Sequence, residues 1–218
     1  MPRVRVRQHV NPLSKKYSEP IFPPNWEKVF AQPNQPLHLD IGCARGEFLL
    51  QMAQAEPDWN FLGVEIREPL VEQANQLREE LGINNLYYLF GNINNSMPSL
   101  CNSLPAGILQ RVTIQFPDPW FKKRQAKRRV VQPELVEDIA TYLAVGGIVF
   151  LQSDIEIVAQ EMRDRFDEQP AFQRQGGESW LTNNPFPIPT EREGSTLSRN
   201  EPVYRALFVK SDGIKDEV

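Results

Sequence analysis

Short apolar runs alternate with longer segments of helical periodicity along most of the chain. Five runs are rich in apolar and β-branched residues, and each is followed by a segment long enough for a crossover connection. They are Leu37–Ile41, Phe61–Glu65, Leu86–Phe90, Arg111–Phe116 and Gly147–Gln152. Alternation of this kind is typical of βα units, in which helices join the strands of a mostly parallel sheet. The pattern therefore predicts an α/β fold.

Helix signals fall on the connections between these runs. Pro69–Leu81 has apolar residues at helical spacing and is followed by Gly82, a residue type favoured just after helix C-termini. Pro133–Leu143 begins with proline, which suits the first turn of a helix, and a third helix is predicted over Ile155–Phe166. An amphipathic segment after the first strand predicts one more helix.

The chain changes character after Pro170, where glycine and proline become frequent. Val203–Val209 has the composition of a strand, so we expect this tail to add an antiparallel hairpin to the sheet. A chain of 218 residues that is 40% hydrophobic is long enough for one sizeable core. Residues 1–218 are therefore predicted to form a single domain, with a basic N-terminal arm at about 1–18.

Composition excludes several classes of protein. No apolar run reaches the roughly 18 residues of a membrane span, and the first residues lack the apolar core of a secretion signal. Cys43 and Cys101 lack CxxC spacing, and His9 and His38 form no obvious ligand pair. Neither a disulfide framework nor a metal site is predicted. We expect a cytoplasmic protein that needs no metal.

Positive charge is concentrated in two segments of an otherwise acidic chain. The formal net charge is −4, from 24 basic and 28 acidic residues. Eleven of the basic residues fall within residues 1–18 and 122–129, and these segments contain no acid. Segregated charge favours a polyanionic partner such as RNA, but charge runs are also common on ordinary solvated faces. Charge alone leaves these two interpretations about equal.

A tight glycine turn follows the first strand. Asp40 ends the strand, Gly42 and Gly46 form the turn, and a helical pattern comes next. Such a turn lets a nucleotide-like ligand approach the backbone closely. Arg45 does not fit the small-residue spacing of a dinucleotide loop. The Asp40 carboxylate would repel a pyrophosphate but attract the ammonium group of S-adenosylmethionine, so the turn favours that cofactor.

Polar residues also end the next two strands. Glu65 could accept hydrogen bonds from both ribose hydroxyls of an adenosyl group, and Asn92 could face the adenine edge. Either residue alone is equally well explained as a polar strand end or a helix cap. Together with Asp40, however, they occupy three successive strand ends, which favours one adenosyl-binding edge.

The fourth strand leads into the most distinctive segment of the sequence. Residues 117–130 read PDPWFKKRQAKRRV. This string, within a pattern that extends from Leu37 to about Phe208, resembles the tRNA (guanine-N7)-methyltransferase family. The resemblance implies a Rossmann-like class I S-adenosylmethionine-dependent methyltransferase sheet. It also implies S-adenosyl-L-methionine as cofactor and methylation of guanosine 46 in the variable loop of tRNA.

The resemblance further implies roles for individual residues, with Asp118 as the catalytic residue. The implied cofactor-binding residues are Asp40, Gly42, Gly46, Glu65, Asn92 and Asp118. The implied substrate-binding residues are Lys122, Asp154, Thr190, Glu191, Arg192 and Glu193, of which 190–193 are predicted to lie in a polar, exposed loop. The implied RNA-contacting residues are Arg124, Lys127, Arg128 and Arg129. The partner is tRNA, and we expect a monomer or a homodimer.

The chemistry suits these residue types. Guanine N7 carries a lone pair and no proton, so its attack on a sulfonium methyl group needs no strong general base. Alignment of the reacting atoms is the main requirement, and Asp118 would either position the base or stabilise the charge that develops on it. Trp120 could equally stack on an extruded base or belong to the core.

Two positions depart from the family pattern, and three rival functions are less consistent with the sequence. Asn92 stands where aspartate is more frequent, and Ala44 stands where glycine is frequent. A small-molecule methyltransferase of the same fold is disfavoured by the basic run. A non-catalytic tRNA-binding subunit is disfavoured by the intact carboxylates at the strand ends. A nucleotide-dependent oxidoreductase fits the glycine spacing poorly.

Overall fold

Seven strands form one mixed sheet in the computed structural model, which describes residues 10–212. The strands are β1 Leu37–Ile41, β2 Asn60–Glu65, β3 Leu86–Phe90, β4 Leu109–Gln115, β5 Ile148–Ser153, β6 Phe172–Gln175 and β7 Tyr204–Lys210. Their order is β3-β2-β1-β4-β5-β7-β6. The first five strands are parallel, and β7 runs antiparallel between β5 and β6. The predicted mostly parallel sheet with an antiparallel C-terminal pair is confirmed.

Helices follow the strands as crossover connections. Within the described residues the α-helices are α1 Trp26–Val29, α2 Glu47–Ala55, α3 Glu68–Glu80, α4 Met97–Asn102, α5 Pro133–Tyr142, α6 Glu156–Asp167 and α7 Glu191–Ser198. The 3₁₀ helices in the same range are Lys15–Tyr17, Ile93–Asn95 and Lys123–Arg128. The predicted helices correspond to α2, α3, α5 and α6. Gly82 follows α3 with φ of 65°, as its C-cap prediction required.

The polar, exposed loop predicted at residues 190–193 is wrong, because these residues begin α7. The Thr190 hydroxyl accepts a hydrogen bond from the Glu193 amide at 3.1 Å, which is the contact of a helix N-cap. Glu193 is only 1% exposed and Thr196 is fully buried, so one face of α7 packs inward. A polar sequence forms this helix because its buried carboxylate finds a partner on β7.

Apolar side chains cover both faces of the sheet. On one face, α4, α5 and α6 contribute a core that includes Met97, Ile139 and Phe166. On the other face, α2 and α3 pack beside Phe186, whose ring centroid lies 5.2 Å from that of His38. Burial on both faces fixes the sheet. The loops after β1 to β5 are thereby held at one edge, the usual ligand-binding edge of a parallel sheet.

Candidate functional site

A cavity of about 300 Å³ opens at the carboxyl edge of the parallel strands. Four of the implied cofactor-binding residues lie in its wall: Gly42 after β1, Glu65 at the end of β2, Asn92 after β3 and Asp118 after β4. Three of the implied RNA-contacting residues also lie there, namely Lys127, Arg128 and Arg129. The structure therefore brings strand-end acids and the basic segment to one cavity.

Gly42 and Gly46 have different roles in the glycine turn. Gly42 has φ of 82°, lies in the cavity wall and has open space where a side chain would stand, so a ligand can approach its backbone. Gly46 is instead buried behind the wall, where an added Cβ would overlap the Tyr88 ring. Tyr88 donates a hydrogen bond to the Gly46 carbonyl at 2.6 Å. Gly46 thus serves the packing of the turn.

Ala44 is one of the two positions at which the sequence departs from the family pattern. Its φ is 51°, in the left-handed region that glycine adopts freely and that costs other residues roughly 1–2 kcal/mol. Its amide donates to Glu65 Oε2 at 2.9 Å, a contact that helps to hold this backbone conformation. The backbone amide of Ala44 therefore ties the turn to the end of β2.

Asp40 lies behind the cavity wall. Its carboxylate is 4% exposed and accepts hydrogen bonds from the Thr113 hydroxyl at 2.6 Å and the Gln115 amide at 3.4 Å. Burial raises the pKa of Asp40 to about 6, and nearby Glu65 adds to this rise, whereas the two donors oppose it. The implied contact of Asp40 with the cofactor stays a prediction.

Glu65 already has a full set of hydrogen-bond donors. Its Oε1 accepts from the Arg67 amide at 3.0 Å and from Arg67 Nε at 2.9 Å. Its Oε2 accepts from the Ala44 amide at 2.9 Å and from an Arg67 terminal nitrogen at 3.0 Å. A carboxylate has about four acceptor positions. Ribose hydroxyls can therefore bind Glu65 only after the Arg67 side chain moves aside.

Asn92 acts as a cap and also contributes to the wall. Its Oδ1 accepts from the Asn94 amide at 3.2 Å and caps the 3₁₀ helix Ile93–Asn95. Its Nδ2 donates to the Pro12 carbonyl at 3.3 Å. Val10, Pro12 and Leu13 line the cavity as well. Residues 1–9, with the arginines of the predicted basic arm and His9, lie outside the described residues.

Asp118 sits in a loop between two aromatic residues with unusual backbone angles. Phe116 has φ of 49° and Trp120 has φ of 42°, in a region that bulky residues rarely adopt. Such conformations persist only where surrounding contacts hold them, and they are frequent at functional sites. Trp120 is half-buried in the cavity wall, with the Arg128 guanidinium 5.0 Å from its ring centre.

Arg129 supports this loop. Its Nε donates to the Pro119 carbonyl at 2.9 Å and a terminal nitrogen donates to the Trp120 carbonyl at 3.3 Å. Its other terminal nitrogen forms an ion pair with Glu161 on α6. The implied RNA-contacting residue is thus engaged within the protein. By contrast Lys122, Arg124 and Lys127 are exposed, on or beside the 3₁₀ helix Lys123–Arg128.

The remaining implied substrate-binding residues form a second cluster around the start of α7. Arg192 donates to Asp154 Oδ2 from Nε at 2.8 Å and from a terminal nitrogen at 2.5 Å. Glu193 forms a buried ion pair with Arg205 of β7 at 2.7 Å. Glu191 is exposed. The cluster lies at the end of β5, the strand beside β4, and outside the cavity wall.

Sequence reasoning missed three residues at this edge. Arg67 is one of them, and the buried glutamines Gln115 and Gln152 are the others. The glutamines carried a usable signal, since an amide inside an apolar strand must find a buried partner. Arg67 carried none, because its bond to Glu65 depends on the turn geometry after β2.

No α-helix between residues 10 and 212 has the length and apolar character needed to cross a membrane. No group of three or more histidine, cysteine, aspartate or glutamate side chains in the same range is arranged to hold a metal ion.

Comparison with known proteins decides the family. A family model described as "Putative methyltransferase" matches residues 34–206. The chain is 69% identical to the tRNA (guanine-N(7)-)-methyltransferase of Trichormus variabilis, over 95% of this chain and 97% of that protein. It is 56% identical to the enzyme of the same name from Synechocystis, over 97% of this chain and 100% of that protein. The chain belongs to the tRNA (guanine-N(7)-)-methyltransferase family. The sequence-based assignment is confirmed.

Solved structures agree on the fold. The aminoglycoside resistance methyltransferase NpmB1 superposes with a TM-score of 0.51 at 16% identity, over 84% of this chain and 90% of that one. A SAM-dependent O-methyltransferase from Thermotoga maritima gives a TM-score of 0.52 at 16% identity, over 84% of this chain and 61% of that one. At such identities the likeness concerns the fold alone, and the predicted class I methyltransferase sheet is confirmed.

Proposed function

We propose that this protein transfers the methyl group of S-adenosyl-L-methionine to N7 of guanosine 46 in the variable loop of tRNA. The observation that carries the proposal is the cavity in which strand-end acids and a basic segment meet. Family membership supplies the reaction, since the relatives named above are tRNA (guanine-N(7)-)-methyltransferases. A cytoplasmic monomer or homodimer stays part of the proposal.

The residues of the cavity fit a cationic adenosyl cofactor. The wall combines the open backbone at Gly42 with the carboxylates of Glu65 and Asp118, and Asp40 adds a buried carboxylate directly behind it. These individual carboxylates suit a ligand that carries an ammonium and a sulfonium group. When bound, this cofactor supplies an electrophilic methyl group. Glu65 would hold the ribose once Arg67 has turned away, and Asn92 would hold the adenine edge.

The chain itself would provide alignment and charge stabilisation. Arg129 holds the Asp118 loop through the Pro119 carbonyl, and the backbone is strained at Phe116 and Trp120, so the loop would present the Asp118 carboxylate to the cavity. This carboxylate would orient the guanine or balance the positive charge that methylation leaves on the base. Trp120 would stack on an extruded base. Asp154 and the 190–193 segment would close on the substrate from the neighbouring strand.

The exposed cations beside the cavity would hold the tRNA backbone. Lys122, Arg124 and Lys127 present their charges to solvent, as phosphate-binding residues do. Arg128 lies over Trp120 and would connect this surface with the target base. Arg129 would contribute through the loop that it supports.

The test is to incubate the protein with methyl-labelled S-adenosylmethionine and unmodified tRNA, digest the RNA and identify the labelled nucleoside. Label in 7-methylguanosine at the variable loop is the expected result. A tRNA in which guanosine 46 is replaced by adenosine serves as the matched control and should stay unlabelled. Tight tRNA binding without transfer would instead indicate a non-catalytic binding subunit.

A further inference from the structure

A row of polar side chains crosses the otherwise apolar sheet at its carboxyl edge. Gln115 of β4 pairs in register with Gln152 of β5, which pairs in register with Arg205 of β7. All three side chains are buried, and Gln152 has no exposed surface. Buried amides are costly unless each finds hydrogen-bond partners. The row therefore requires an explanation beyond the packing of the sheet.

The hydrogen bonds along this row have a fixed direction. Gln152 Nε2 donates to Gln115 Oε1 at 2.7 Å and to Glu193 Oε2 at 3.2 Å. Because Gln115 Oε1 is thereby occupied, its amide nitrogen faces Asp40 Oδ1, at 3.4 Å. A reversed Gln152 amide would turn its oxygen towards the Glu193 carboxylate, which is unfavourable. Gln152 thus sets the orientation of Gln115.

The row connects two carboxylates that belong to different parts of the site. Asp40 stands behind the glycine turn, where Thr113 is its other donor. Glu193 stands on α7, where Arg205 and Asn184 also donate to it at 2.7 Å. Its neighbour Arg192 binds Asp154 at the end of β5. The side-chain amides of Gln115 and Gln152 therefore connect the glycine turn after β1 with α7.

We propose that Gln152 is a positioning residue for methyl transfer, which orients Gln115 towards Asp40 and anchors α7 through Glu193. This inference rests on the proposed function and extends it to a residue outside the cavity wall. Gln152 would therefore act without touching the cofactor or the substrate. Gln152 would act through the carboxylates of Asp40 and Glu193. The position of the glycine turn and the position of α7 would thus be coupled.

The decisive variant is Gln152→Met, which keeps the side-chain length and removes both hydrogen bonds. The dissociation constant for S-adenosylmethionine should rise at least about threefold and kcat should fall about tenfold, the range for residues in one network. Affinity for tRNA should change much less than kcat, because the exposed 3₁₀ helix Lys123–Arg128, which would hold the tRNA backbone, is not part of the row. If Gln152 had only a structural role, Gln152→Met would lower the melting temperature without changing cofactor affinity and kcat.

Two further variants separate positioning from stability. Asn60→Leu removes an equally buried amide at the opposite end of the sheet, where Asn60 donates to the Gln32 carbonyl. It should lower the melting temperature and leave cofactor affinity and kcat unchanged. The double variant Gln115→Met with Gln152→Met leaves no unpaired amide between the strands, so stability should recover relative to Gln152→Met. Cofactor affinity and kcat should stay low, and this variant replaces the single one if that fails to fold.

Calorimetric titration with S-adenosylmethionine and steady-state kinetics with tRNA give these quantities, at a temperature where all variants are folded. Wild-type cofactor affinity and kcat in the double variant would overturn the inference. A wild-type protein that transfers no methyl group would overturn the proposed function instead, and the titrations would still test whether the row reaches Asp40.

Discussion

Asp40 and Glu193 are both buried carboxylates, but the two regions that hold them stabilise the negative charge differently. Around Asp40 in the glycine-turn region, the donors are a hydroxyl and an amide, both neutral, and the pKa rises to about 6 because of burial. Around Glu193 in the α7 region, the donors are the guanidinium of Arg205, which is a counter-ion, and the neutral amides of Asn184 and Gln152. Neutral dipoles stabilise the Asp40 carboxylate, whereas the Glu193 carboxylate also has a counter-ion.

The difference indicates which carboxylate can serve a ligand. A charge held only by dipoles keeps an outward attraction for a cation, because nothing neutralises it. A charge inside a buried ion pair is neutralised and acts on structure. Glu65 is an intermediate case, since its counter-ion Arg67 keeps about a quarter of its side-chain surface exposed, 23%, and can leave. We therefore expect Asp40 and Glu65 to affect cofactor binding and Glu193 to affect stability.

The largest expected effect is the loss of stability on removal of Glu193, the buried carboxylate of α7. Glu193→Ala leaves the buried Arg205 without its counter-ion and should reduce the free energy of unfolding by roughly 3–5 kcal/mol. The neighbouring Arg192, whose side chain is 57% exposed, is the matched control. Arg192→Ala should cost less than about 1 kcal/mol, as surface ion pairs do. Urea unfolding of both variants measures this, and equal losses would contradict the assignment.

Asp118→Ala should have the opposite profile. Asp118 lies in the cavity wall and outside the buried row, so its removal should reduce kcat by about 100-fold or more and leave the melting temperature near that of the wild type. Labelled-methyl incorporation into tRNA and a thermal melt measure the two quantities. Near-normal turnover would remove Asp118 from the catalytic role.

The glycine-turn side is tested by Asp40→Asn and its dependence on pH. A carboxyl whose folded pKa is raised destabilises the folded state above its unfolded pKa, so wild-type stability is lost as pH rises through about 6. The asparagine variant lacks this loss. Its stability relative to wild type should increase between about pH 4.5 and 7.5, on the order of 2 kcal/mol. Denaturation at both values checks this, and a constant difference would contradict it.

The smallest expected effect concerns the removable counter-ion of Glu65. Arg67→Met frees acceptor positions on Glu65 and should tighten S-adenosylmethionine binding by a few-fold, roughly 1 kcal/mol. Arg78→Met on α3 is the control, since Arg78 is a similarly shielded arginine away from the cavity. Calorimetric titration compares the two. Weaker binding in Arg67→Met would mean that the guanidinium holds the cofactor instead of competing with it.

The sequence by itself determined the parallel core and the cofactor edge. Five apolar runs, the turn from Asp40 to Gly46 and the strand ends at Glu65 and Asn92 are local patterns, and the carboxyl ends of parallel strands must meet at one edge. The PDPW segment likewise indicates the family without any tertiary contact. These features depend on neighbours in the chain, so they can be read along it.

Only the tertiary structure decided what each polar side chain does. Residues 190–193 have the composition of an exposed loop, and they became a helix because Glu193 meets Arg205, which follows α7 in the chain. Arg129 belongs to a basic run, and it turned inward because the Pro119 carbonyl and Glu161 lie beneath it. The energy of a buried charge depends on partners brought close by folding, and sequence separation does not reveal them.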